Sequence, residues 1–128
     1  MWRKFRGSRG GADIDGRKYG FAGTRLREMT EEEILTKAVE IIRRRLPEDF
    51  HCKVFLFGSR ATGTAGDRSD FDIGIEGNGP VPSGTMTEIR WDLDGMPILH
   101  TVEVVDFAGV TEAFARVAKE KTRVLYER

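Results

Sequence analysis

The sequence predicts an α+β (or α/β) domain, a small sheet covered by helices. Three observations lead there. A chain of 128 residues supports one hydrophobic core and little else. Two short strand patterns, Val54-Phe55-Leu56-Phe57 and Asp70-Phe71-Asp72-Ile73-Gly74-Ile75, flank a glycine- and serine-rich turn. Stretches at helical spacing precede and follow them, giving the order helix, strand, strand, helix, strand, helix.

Residues 1–28 are rich in Gly, Arg and Lys and show no apolar period, so a flexible basic tail is expected. They hold eight basic groups and three acids. The whole chain is formally neutral, so this +5 is balanced by −5 over residues 29–128, the expected folded domain. Arg-Gly spacing at Arg6-Gly7-Ser8-Arg9-Gly10 suits contact with RNA phosphates. A solvated extension is the plainer reading.

Ordered structure is expected from Thr30. Thr30-Glu31-Glu32-Glu33 fits a capping box, and Ile34, Leu35, Ala38, Val39, Ile42 and Leu46 recur at helical spacing up to Pro47. Arg43-Arg44-Arg45 reads as a solvated helix end complementing the dipole. Val54–Phe57 is a buried strand, and the turn after Gly58-Ser59 holds at most a short helix. In the next strand Phe71, Ile73 and Ile75 point one way and Asp70 and Asp72 the other. Gly77-Asn78-Gly79-Pro80 is punctuation. Ser83–Asp94 reads as a helix with Met86, Ile89 and Leu93 inward. Ile98–Phe107 reads as a third strand, with Leu99, Thr101, Glu103 and Val105 on one face. A last helix is expected from Thr111, with Phe114, Val117, Ala118, Lys121, Val124 and Leu125 along its inner stripe.

Several classes of function are excluded or disfavoured. Neutral overall charge offers no global field for nucleic acid or membrane. One cysteine, Cys52, rules out an internal disulfide and suits a reducing compartment. No apolar run approaches membrane-spanning length and the N-terminus lacks a signal-peptide core, so a soluble cytoplasmic protein is expected. An EF-hand fails, since Ile75 and Val81 stand where Gly and Glu are required. A Walker A loop fails for want of Gly-Lys-Ser/Thr.

What remains is a metal-and-phosphate site. Two carboxylates side by side on a strand repel unless a cation lies between them, and Asp70 and Asp72 suit Mg²⁺. Gly58 and Ser59 offer close backbone approach and N–H groups to phosphate oxygens. Glu103, an acid inside an apolar run, can complete a carboxylate cluster if its strand lies beside the second. It could ligate metal or take a proton from an attacking hydroxyl. Arg60 and Arg68 flank the loop and could neutralise phosphate, although solvated arginines are nearly as common in such loops. An isolated Asp-x-Asp is most often a strand edge; here the preceding Gly-Ser turn and the third acid favour the site. His51, His100 and Cys52 lack metal-ligand spacing and read as structural. Asp106 reads as a strand-end cap or a partner to the site.

Gly58-Ser59-Arg60-Ala61-Thr62-Gly63 followed by Arg68-Ser69-Asp70-Phe71-Asp72 resembles the signature of the minimal nucleotidyltransferases of the DNA polymerase β superfamily. The resemblance covers about residues 30–126. It implies a small mixed sheet in the polymerase β-like fold. It also implies nucleotide binding by Gly58, Ser59, Arg60 and Ser69, and two Mg²⁺ ions on Asp70, Asp72 and Glu103. The third acid in that family is usually Asp; Val102-Glu103-Val104-Val105-Asp106 carries Glu there. The implied activity is transfer of a nucleoside monophosphate, AMP from ATP, to an acceptor hydroxyl. The chain is short for two substrates, and the family points to a helical HEPN-type partner, as in toxin–antitoxin pairs where the antitoxin attaches AMP to the toxin. A binding-only antitoxin and an adenylyltransferase for a small hydroxylated molecule are the alternatives.

Overall fold

The computed structural model describes residues 29–128. Helix α1 spans Glu31–Arg45, and its start is set by a reciprocal cap. The Glu33 N–H donates to Thr30 Oγ1 (3.1 Å) and the Thr30 N–H to Glu33 Oε1 (2.9 Å). Three acids in the first turn and Arg43, Arg44 and Arg45 in the last complement the helix dipole. The arginines do more than face solvent: Arg45 pairs with Asp92 (2.7 Å) and Arg43 lies over the Tyr126 ring. The expected basic tail lies outside the described residues.

Strand β1 (Cys52–Phe57) leads through the single-turn helix α2 (Ser59–Thr62) into strand β2 (Phe71–Gly77). Helix α3 (Ser83–Asp94) then returns the chain to strand β3 (Val102–Asp106). A 3₁₀ turn (Phe107–Gly109), helix α4 (Glu112–Ala118) and strand β4 (Arg123–Glu127) complete the domain. The sheet order is β3-β2-β1-β4, antiparallel except for the β2–β3 pair, and the architecture is α+β with a mixed sheet. The parallel pair follows from the α3 crossover, because parallel neighbours need a long connection.

Strand alternation gives each sheet face its own core. Val54, Leu56, Phe71, Ile73, Ile75, Val102 and Val104 are buried beneath α1 and α3, which contribute Ile34, Leu35, Ala38, Ile42, Met86, Ile89 and Leu93. On the other face Phe55, Phe57 and Phe107 form a second cluster, with Ala115 and Ala118 of α4 against it. Gly74 is required there: a Cβ would lie 2.5 Å from Phe55 Cζ and 2.6 Å from Phe107 Cε1.

Two sequence expectations are corrected. The third strand is shorter than Ile98–Phe107, because residues 98–101 run as an irregular segment and Leu99 is 63% exposed. The expected last helix ends at Ala118, and Arg123–Glu127 is a strand on the free edge of β1. Val124 and Leu125 satisfy helical spacing with Val117, yet Val117 is 66% exposed and Val124 pairs with Phe55 across the ladder. An unpaired edge of β1 would leave backbone groups without partners, and β4 supplies them.

Candidate active site

Gly58 follows β1 and caps α2 with φ 78° and ψ −158°, a conformation essentially confined to glycine. The missing side chain has a second consequence: a Cβ at residue 58 would stand 2.5 Å from Asp72 Oδ2. The Asp72 carboxylate thus packs directly against the backbone of the turn. Ladder pairing of Asp72 with Phe57 fixes that approach. Ser59 follows as the first residue of α2, and first-turn N–H groups such as those of Ser59 and Arg60 have no acceptor within the helix.

Glu103 is the register partner of Asp72 across the parallel β2–β3 pair, so the two half-buried acids share a face. Asp70 has the same parity but precedes Phe71, the first ladder residue of β2, and is exposed. Burial raises the Asp72 carboxyl above the ordinary aspartate range, and the charges of Asp70 and Glu103 add to the shift. Asp72 thus feels the charges of both other acids. The three do not form a ready-made metal cluster, however: among the described residues, no three of His, Cys, Asp or Glu converge tightly enough to hold an ion. The strand ladder fixes two of the acids, whereas Asp70 is placed by the loop before it. The donor set itself fits a hard divalent cation, being all oxygen and mutually repulsive.

Arg60, given a phosphate contact by the sequence reading, is held within the loop. Its side chain, 10% exposed, turns into the loop, and the guanidinium lies 4.0 Å over the centre of the Phe71 ring. It donates to the carbonyl of Ser69 from Nη2 (2.9 Å) and Nε (3.2 Å), and from Nη2 to Asp67 (3.1 Å) and Gly66 (3.4 Å). Ser69 also serves the loop, its Oγ accepting from the Gly66 N–H at 2.9 Å. Arg68 is exposed.

The sequence missed His100 as a neighbour of the site. Its Nε2 lies 2.7 Å from the Asp67 carbonyl and its ring meets Phe71 edge-on, with centroids 5.5 Å apart. The only sequence signal was a histidine at the entry to the strand bearing Glu103. Asp106 is a cap at the far end of β3, accepting from Ala108 N–H (3.0 Å) and Val81 N–H (2.9 Å). Cys52 is buried at the far end of β1, opposite Gly77.

Comparison with solved structures gives the same architecture. One chain of a toxin–antitoxin complex with AMP-PNP superposes with a TM-score of 0.60 at 20% identity, covering 73% of each chain. A chain of a mutant MntA–HpeT toxin–antitoxin complex gives 0.59 at 18%, again over 73% of each. A chain from a complex of tri-AMPylated Shewanella oneidensis HEPN toxin with MNT antitoxin gives 0.58 at 15%, over 77% of this chain and 74% of that one. At these identities the likeness shows the fold. No curated protein matches the sequence. A family model described as a nucleotidyltransferase domain matches residues 35–125, from within α1 to β4, and the chain belongs to that family.

Proposed function

We propose that this chain is a divalent-metal-dependent nucleotidyltransferase that moves AMP from ATP to an acceptor hydroxyl on a helical HEPN-type protein, as the antitoxin of a toxin–antitoxin pair. The observation that carries the reading is the close approach of Gly58 to Asp72, with Glu103 in register beside it. It sets the glycine turn against two half-buried carboxylates at one end of the sheet. The similar folds in complexes described with AMP-PNP and a HEPN toxin support the choice of nucleotide and partner.

In this mechanism Gly58 and the first N–H groups of α2 receive the triphosphate, with Ser59 and Ser69 at the edges of the turn. Asp70, Asp72 and Glu103 would hold Mg²⁺, two ions being expected. The metal would supply charge neutralisation at the phosphoryl oxygens. The acceptor oxygen attacks the α-phosphorus, the bond to the bridging oxygen breaks, and pyrophosphate leaves. Glu103, half-buried beside Asp72, is placed to accept the hydroxyl proton. Much of the rate would come from orientation, since the ladder fixes the backbones of Asp72 and Glu103 before substrate arrives. No helix among the described residues is long and apolar enough to cross a membrane, which is compatible with the proposed cytoplasmic location.

The test is the intact mass of a co-expressed helical partner after incubation with the chain, ATP and Mg²⁺. The control combines Asp70→Asn with Asp72→Asn. Gain of AMP on the partner, lost with the double variant, is the expected outcome. Tight binding of the partner by both forms without mass gain would replace the enzyme with a binding-only antitoxin. Turnover of a free small hydroxylated acceptor, with the partner unmodified, would move the acceptor to small molecules.

A further inference from the structure

We propose that Arg60, assisted by His100, is a positioning residue that fixes the carboxylate of Asp70 by clamping the loop before it. The inference rests on the metal-dependent reading above and deepens it. Asp72 and Glu103 lie on ladder residues, whereas Asp70 is exposed and lies ahead of the first β2 pairing. Its position therefore depends on residues 66–69.

That segment is held from two sides. Arg60, from α2, binds the carbonyls of Gly66, Asp67 and Ser69 with one guanidinium. His100, from the entry to β3, adds a second contact to the Asp67 carbonyl; a carbonyl only accepts, so Nε2 carries the proton. Both side chains rest on Phe71, which is 1% exposed and follows Asp70 directly. Arg60 also reaches Glu31 at the start of α1 (3.7 Å), so the clamp is tied to the helical layer. A planar fork can satisfy several carbonyls at once, which a lysine ammonium on a flexible stem cannot reproduce.

The sign of the effect separates positioning from charge. Arg60 is a cation, so on electrostatics alone its removal should leave binding of a divalent ion unchanged or tighten it. Loss of the clamp should weaken it, by about 10–100-fold for a residue that orients a ligand.

The experiment uses the full chain and Mn²⁺ as probe, read by electron paramagnetic resonance without nucleotide, alongside amide hydrogen exchange. Arg60→Met and Arg60→Lys are both expected to weaken Mn²⁺ binding by about 10-fold or more. Exchange at Ser69, whose N–H donates to Gly66, should accelerate by about 10-fold while Leu56 and Ile73 stay protected. His100→Gln, which keeps a donor, should behave as the parent, and His100→Ala should share part of the Arg60 defect. Unchanged or tighter Mn²⁺ binding in Arg60→Met, or full affinity in Arg60→Lys, would overturn the proposal. Should Arg60→Met fail to fold, Arg60→Lys and the His100 pair carry the comparison. If the parent chain itself binds no Mn²⁺, the metal-dependent reading fails. Exchange at Ser69 then judges the clamp alone: acceleration upholds it and no change refutes it.

Discussion

Replacing Gly58 with alanine tests the contact on which the active-site reading depends. The backbone there, at φ 78° and ψ −158°, lies in a region that costs a non-glycine residue about 1–3 kcal/mol. For a domain of this size that lowers the melting temperature by about 5–20 °C. The new methyl would also lie 2.5 Å from Asp72 Oδ2 and 3.3 Å from its Cγ. The Asp72 backbone cannot retreat while it is paired with Phe57 and Glu103, so its carboxylate must swing away by about 1 Å. A displacement of that size costs about 100-fold in a positioned reaction. Gly63→Ala is the control, because Gly63 also has positive φ (84°) but nothing lies within 4 Å of its would-be Cβ. It should lose about 1–2 kcal/mol of stability and retain transfer activity. Thermal unfolding by circular dichroism and pyrophosphate release report the two quantities separately. Equal stability losses in the two variants, with activity intact in Gly58→Ala, would refute the packing of Asp72 against the turn.

Other consequences are as direct. Asp72→Asn removes a carboxylate whose charged form is penalised by burial and by Asp70 and Glu103. Its melting temperature in EDTA should hold or rise, while transfer falls by about 100-fold or more with loss of a metal ligand; a clear fall in metal-free stability would contradict the assigned repulsion. Thr30→Ala breaks the capping box of α1 and should cost about 1 kcal/mol in urea unfolding, and no change would mean that the first turn is held by other contacts. Burial pushes the Cys52 thiol up and only 5% of the residue is exposed, so a disulfide reagent at pH 8 should label it slowly in the native protein and fully in denaturant. Rapid native labelling would place the β1–β4 edge in an open form.

Local chemistry alone determined α1, α3 and the two strands around the glycine turn. Thr30 and Glu33 satisfy each other within four residues, and Met86, Ile89 and Leu93 repeat at one helical period. The parity of Asp70, Asp72 and Glu103 within their strands was equally legible, since alternation is a property of any extended chain. Tertiary structure decided the rest. Spacing cannot show that β2 and β3 are parallel neighbours, which is what places Glu103 beside Asp72. Nor could it separate a helix from a strand over Val117–Leu125, where apolar residues fit both periods until the open edge of β1 selects a strand. Arg60 reads from the sequence as an arginine flanking the loop, and spacing cannot show what holds its side chain. Its partners within the chain are the carbonyls of residues 66, 67 and 69 and the face of Phe71, brought together only when the loop folds back across α2. Residue type and spacing announced the chemistry of the site, whereas which groups hold it in place depended on contacts between segments far apart in the chain.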